Sequence, residues 1–277
     1  MRAEQLTDAV AYHGEGPVWD APTRRLLWVD MHAGDVLSTA ADGDTQRDHF
    51  AGLAACVVPR AGGGYALATA RGFTLIDADG SVHAFADVWD DPTVRMNDGG
   101  CDPHGRFFCG SMATDAAPGR GAMYRLDPDG STTQVFAGVT ISNGLGWSPD
   151  GSRAFYVDTP TQRIDVCAPD LSSREPFVAI SSEVGAPDGL TVDAEGGVWV
   201  ALWGGHAVHR YAPDGALDAV VDVPVAQVSS CAFGGDDLAT LFITTSAENL
   251  ADPEPAAGAL FAVTPGVRGL PTLTFAG

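Results

Sequence analysis

Four side chains able to offer an oxygen to a cation recur at one offset in this sequence. Glu15, Asn97, Asn143 and Asp188 each stand five residues before a turn-opening residue, namely Asp20, Asp102, Ser148 and Asp193. Two carboxylates and two carboxamides without convergent Cys or His suit a hard or borderline divalent ion: Ca²⁺, Mg²⁺, Mn²⁺ or, less typically, Zn²⁺. Such a set leaves coordination positions for water or substrate, as a catalytic ion requires. Asn and Asp also favour turns at strand starts, where they bond their own backbone. That reading explains any one of the four more easily than all of them at a single register. Glu15 fits it least, because Gly14 and Gly16 flank it in "HGEGPVW", a pattern of close backbone approach.

The elements that must position these residues are short strands. Helical periodicity is almost absent, and apolar runs alternate with turns, as in "GPVWDAPTRRLLWVD", "DPHGRFFCGSM" and "DAEGGVWVALW". The turn openers Asp20, Arg60, Asp102, Ser148, Asp193 and Gly234 are 40, 42, 46, 45 and 41 residues apart. That is the spacing of propeller blades, so residues 1–277 are expected to form one all-β domain. The expected fold is a six-bladed β-propeller of four-stranded antiparallel blades. The N-terminal run "EQLTDAVAYH" would add a strand to the last blade and close the ring, leaving no unpaired edge. Five residues before the openers lie Glu15, Ala55, Asn97, Asn143, Asp188 and Ser229. Equivalent positions lie on a ring, here placed just before each innermost strand, at one mouth of the central channel.

Arg95 alternates with Asn97 in "TVRMNDGG", which puts both on one strand face towards that mouth. Arg95 would then hydrogen-bond a polyhydroxylated or anionic ligand. Asp98 has three open roles: holding a sugar-like hydroxyl, acting as a second base, or capping its turn. No GxSxG elbow supports a serine hydrolase, and the glycines of "RAGGGY" open no nucleotide-binding helix. The histidines lack HExxH or HxH spacing, and His206 reads as a loop residue. Trp19, Trp147 and Trp199 recur on blade strands as core packing.

The composition agrees with a large β domain. Hydrophobic residues make up 45% and charged residues 18%, enough for a sizeable core. Thirty-six acidic against fifteen basic residues give −21, a surface that repels nucleic acid and anionic lipid. Five cysteines without a CxxC pair suggest reduced, half-buried thiols. No signal-like or membrane-length apolar run is present, so a cytoplasmic location is the default expectation. The loops carry no obvious apolar patch, so a monomer is expected.

The segments "HGEGPVW", "RMNDGGCDPHGRFFCGSM", "SNGLGWSPDG", "PDGLTVDAEGGVWVALWGG" and "VSSCAFGG" together resemble the SMP-30/gluconolactonase/LRE family of regucalcin-like lactonases. The resemblance runs in order from about Tyr12 to the final strand and implies a six-bladed propeller. It also implies that Glu15, Asn143 and Asp188 ligate one divalent metal, of which Ca²⁺, Zn²⁺, Mn²⁺, Mg²⁺ and Fe²⁺ are candidates. Arg95 and Asn97, with Asp98 beside them, would contact a sugar lactone such as gluconolactone or a pentonolactone. Asp188 would be the base that activates water. The segment "ATDAAPGRGAMY" (113–124) is a short lid-like stretch, with Asp115 where some relatives carry a longer acidic loop, which bears on which sugar fits. The competing expectations are a calcium-binding regulatory protein and a metal hydrolase of other esters or phosphotriesters on the same scaffold.

Overall fold

The computed structural model describes residues 1–50, 52–85 and 87–277, and in it six four-stranded antiparallel sheets follow one another along the chain. The first blade is Gly14–Asp20, Arg25–Asp30, Asp35–Thr39 and Thr45–His49; the second is Cys56–Pro59, Tyr65–Ala68, Phe73–Ile76 and Val82–Ala84. The third is Val94–Cys101, Phe107–Ala113, Gly121–Leu126 and Thr132–Val139; the fourth is Ser142–Trp147, Ala154–Asp158, Arg163–Cys167 and Arg174–Ala179. The fifth is Ala186–Val192, Val198–Trp203, Ala207–Tyr211 and Leu217–Asp222. The sixth is Val228–Gly234, Thr240–Thr245 and Phe261–Val263, completed by Glu4–Gln5 from the N-terminus.

The leading strands of successive blades touch one another in a closed cycle and therefore line the axis. Second strands are covered by neighbouring blades on both faces, which is why "RLLWVD" and "FFCGSMA" are apolar runs rather than alternations. Outermost strands such as Thr45–His49 are polar and largely exposed. Trp19, Trp147 and Trp199 are 4%, 5% and 1% exposed, in the core as expected. All five cysteines are unpaired and fully rather than half buried.

The residues that set the repeat register also hold its turns. Asp102 Oδ1 accepts the backbone N–H groups of His104 and Arg106, and Asp193 Oδ1 those of Glu195 and Gly197. Ser148 Oγ accepts the N–H of Arg153. Asp193 has no solvent exposure, and its Oδ2 also accepts Trp199 Nε1–H at 2.8 Å and Arg210 Nε–H at 2.7 Å. Asp193→Ala should therefore destabilise the protein by about 3–5 kcal/mol, because the buried Arg210 loses its best-shielded partner. A denaturant midpoint lowered at unchanged slope checks this; a loss within about 0.5 kcal/mol would contradict it.

Closure of the ring follows the expectation: Glu4 and Gln5 pair with Ala262 and Phe261. The C-terminal run 264–277 then crosses the face opposite the mouth. It pairs Gly269 with Asp193 and Phe275 with Arg60, and Thr272 Oγ1 donates to the carbonyl of Trp19. The fully buried Phe275 anchors it between the second and third blades.

Candidate functional site

The ring residues lie inside the innermost strands, not before them as the turn spacing alone suggested; only Ala55 precedes its strand. The physical reason is a β-bulge. Pairing with the second strand slips between Glu15 and Val18, Met96 and Gly99, Ser142 and Leu145, Pro187 and Leu190, and Val228 and Ser230. The strand thus begins earlier and is interrupted where the ring residue falls, which re-aims that side chain. Small residues make the convergence possible. A Cβ on Gly189 would meet Ser230 Oγ at 2.1 Å, and one on Gly14 would meet the Thr245 carbonyl and the Trp28 ring at 2.9 Å.

A hydrogen-bonded chain links the carboxamides. An Arg95 guanidinium N–H donates to Asn97 Oδ1 at 2.7 Å, confirming that these two share a face. Asn97 Nδ2–H donates to Asn143 Oδ1 at 3.0 Å and to the Ser142 carbonyl at 2.9 Å. Asn143 Nδ2–H donates to Thr159 Oγ1 at 2.8 Å, and that hydroxyl donates to the carbonyl of Pro187, next to Asp188. Both amide orientations are fixed, and Asn143 Oδ1 keeps a second lone pair for a cation. The other two ring positions do different work. Ser229 Oγ donates to the Gly14 carbonyl at 2.6 Å and ties the sixth blade to the first, and Ala55 is packed in the core.

Glu15, Asp98 and Asp188 are 4%, 6% and 5% exposed, and no Lys or Arg lies within 4.0 Å of their oxygens among the described residues. Glu15 and Asp98 each accept only the N–H of the following glycine, at 3.1 and 2.7 Å. Burial, first, and then the charges of Asp98 on Glu15 and of Glu15 and Asp98 on Asp188 push both carboxyls well above the ordinary range. Burial pushes Asp98 up to about 6. Three buried carboxylates without a salt-bridge partner, with the single Arg95 guanidinium acting on Glu15 and Asp188 from beyond 4 Å, are the environment a divalent ion neutralises, so the donor set fits one held by Glu15, Asn143 and Asp188. Below this ring the channel widens into a cavity of about 440 Å³, with Asp98, Cys56 and Cys231 among its lining and Leu270–Leu273 at its far end.

Several residues at this mouth escaped the sequence reading. Asp30 and Asp158 end the second strands of blades one and four. Asp30 accepts the N–H groups of Tyr12 and His13, and Asp158 those of Thr140 and Ile141. Each aspartate thereby fixes the chain two and three residues ahead of Glu15 or Asn143; the matching ends "LLWVD" and "AFYVD" carried that signal. His13 is buried beside Ser246, and burial lowers its pKa to about 3. His32 Nε2 and Glu248 Oε1 are 2.5 Å apart, and His32 holds the Glu248 carboxyl below its usual range. His206 is an exposed loop residue. The stretch around Asp115 is an exposed loop in which Asp115 accepts the N–H of Ala117, and Arg120 is pinned to Asp91. A longer mouth segment is 246–260, between the second and third strands of blade six.

These features define a six-bladed propeller with a buried carboxylate–carboxamide cluster at one mouth. Residues 13–247 match the SMP-30/Gluconolactonase/LRE-like region, and the chain belongs to that family. It is 37% identical to regucalcin of Danio rerio over 281 residues, 95% of each chain. It is also 37% identical to pentonolactonase XacC of Haloferax volcanii over 289 residues, 98% of this chain and 97% of that one. Among solved structures, a calcium-binding regucalcin of Agrobacterium tumefaciens superimposes with a TM-score of 0.92 at 28% identity, covering 99% of this chain and 97% of that one.

Proposed function

We propose that this protein is a divalent-metal-dependent lactonase that opens aldonolactones to aldonic acids. The observation carrying this reading is the trio of buried carboxylates without a salt bridge at the mouth, adjoining the fixed Arg95–Asn97–Asn143 chain. The pentonolactonase and a putative sugar lactone lactonase among the relatives support the reaction class. Glu15, Asn143 and Asp188 would hold the ion. When bound, it supplies positive charge against the negative charge that ester hydrolysis builds on the carbonyl oxygen.

The chain's own residues then divide the work. Asp188 takes the proton of the attacking water on its carboxylate, a role worth roughly 10²–10⁴-fold. Its burial beside Glu15 and Asp98 makes it a stronger base than an exposed aspartate, which offsets the acidifying effect of a neighbouring cation. Arg95 and Asn97 orient the lactone's hydroxyls, and the surrounding bulged strands keep them in place without rearrangement.

The test is chelator-stripped protein re-supplied in turn with Ca²⁺, Zn²⁺, Mn²⁺, Mg²⁺ or Fe²⁺ and offered a panel of hexono- and pentonolactones, with acid release read by a pH indicator. Metal-dependent acceleration on at least one lactone is expected, and none would overturn the proposal. Tight Ca²⁺ binding without hydrolysis would favour the calcium-binding reading, for which the regucalcin relatives speak. Arg95→Ala should lower kcat/KM about 10–100-fold, the worth of a hydrogen bond from a charged donor. An unchanged kcat/KM would remove Arg95 from substrate binding.

A further inference from the structure

A second cluster of ligating side chains stands at the same mouth. His13 immediately precedes the innermost strand of blade one, and His32 follows the second strand of that blade. Glu248 follows the second strand of blade six. Innermost strands start at the mouth and second strands return to it, so all three lie just outside the oxygen ring. One ligand atom from each of His13, His32 and Glu248 lies within 4.8 Å of the others. Sequence separation hid the group, since its members are 19 and 216 residues apart.

We infer that His13, His32 and Glu248 form a second cation site, selective for a borderline transition-metal ion such as Zn²⁺ or Co²⁺. Two imidazoles and a carboxylate are a donor set such ions prefer, whereas Ca²⁺ and Mg²⁺ favour the all-oxygen ring. The geometry is close to that of a loaded site. The centres of the His13 and His32 rings are 5.1 Å apart, near the about 5 Å of two imidazoles on one tetrahedral ion, and a rotation of one stacked ring would bring both nitrogens onto it. Ligand atoms about 2.1 Å from a tetrahedral ion lie about 3.4 Å apart, so from a spread of up to 4.8 Å binding needs an inward shift of at most about 1.4 Å.

Supporting contacts orient the ligands as in known metal centres. His13 Nδ1 is bonded to Ser246 Oγ at 2.8 Å, leaving Nε2 for an ion. That same hydroxyl accepts the Glu248 N–H at 3.0 Å, coupling two of the ligands through one residue. Asp30 fixes the His13 backbone, and Trp203 meets the His13 ring edge-on at 5.7 Å. The Gln227 side chain donates to the Glu248 carbonyl at 2.9 Å and holds the base of the blade-six loop. Three protein ligands leave a fourth position for water or a ligand oxygen.

The inference is independent of what the enzyme hydrolyses. Stripped protein should bind two Co²⁺ per chain in equilibrium dialysis but one Ca²⁺. His32→Ala and Glu248→Ala should each bind one Co²⁺ and still one Ca²⁺, with circular dichroism unchanged. The visible Co²⁺ absorption of the wild type should lose its more intense, tetrahedral component in both variants. One Co²⁺ per chain in the wild type, or two retained in either variant, would overturn the site. Loss of Ca²⁺ binding with Co²⁺ retained would instead count against the oxygen ring.

Discussion

Asp188→Ala should lower kcat for lactone hydrolysis by at least about 10²-fold and by as much as 10⁴-fold, while the propeller stays folded. The substitution removes the proposed base and one of three proposed ligands together, so the loss belongs to the unit and not to one contact. Stability should move the other way in metal-free protein. Asp188 is buried with Glu15 and Asp98, lacks a cationic neighbour within 4 Å, and is held above its ordinary range by burial and by their charge. Removing it relieves that repulsion, so the metal-free variant should melt above the metal-free wild type at pH 8. Asp188→Asn keeps the volume and separates the two effects: it should retain the stability gain and still lack turnover. Wild-type kcat in either variant would remove Asp188 from the chemistry. A lower melting temperature in both metal-free variants would mean that the carboxylate stabilises the fold without an ion.

The blade count was legible because turns are local. Asp102, Ser148 and Asp193 each bond backbone groups two to five residues on, so chemistry and spacing appear together in the sequence. The ring residues were legible for a related reason, since each lies at a constant offset from such a turn. The strand boundaries were not, because the bulges at Glu15, Asn143 and Asp188 depend on pairing with a second strand and on neighbouring blades converging at the axis. Long-range geometry was harder still. The cluster of His13, His32 and Glu248 forms only when blade six closes against blade one. The C-terminal run "GLPTLTF" alternates only over Thr272–Phe275, too short to mark a blade strand, yet it crosses the face opposite the mouth and buries Phe275. Asp30 and Asp158 share a strand-end pattern in the sequence, but their role as supports for the chain leading to the ring rests on contacts 17 and 18 residues away.

Saturating Ca²⁺ should raise the melting temperature hardly at all near pH 4 and by about 5–10 °C above pH 7. Asp98 is shifted from 3.8 to about 6, and burial and neighbouring carboxylates hold Glu15 and Asp188 well above the ordinary range in the same direction. For such groups the folded chain holds protons that the unfolded chain has released once pH exceeds the unfolded value. Stability is therefore fully present below about pH 4 and is lost as pH rises through the folded values. A cation reverses that loss by binding the ionised forms, and at about 100 times its Kd it contributes about 2.7 kcal/mol. At 2–4 °C per kcal/mol for a chain of this size, that gives the stated shift. His13 works in the opposite sense: lowered from 6.5 to about 3, it adds stability as pH rises between those values. Its contribution is the same with Ca²⁺ or with chelator, since Ca²⁺ disfavours imidazole, so it cancels in the difference. The measurement is paired thermal melts in Ca²⁺ and in chelator from pH 4 to 8. A gain independent of pH would mean that Ca²⁺ binds without engaging the buried carboxylates, and the oxygen ring would lose its assignment.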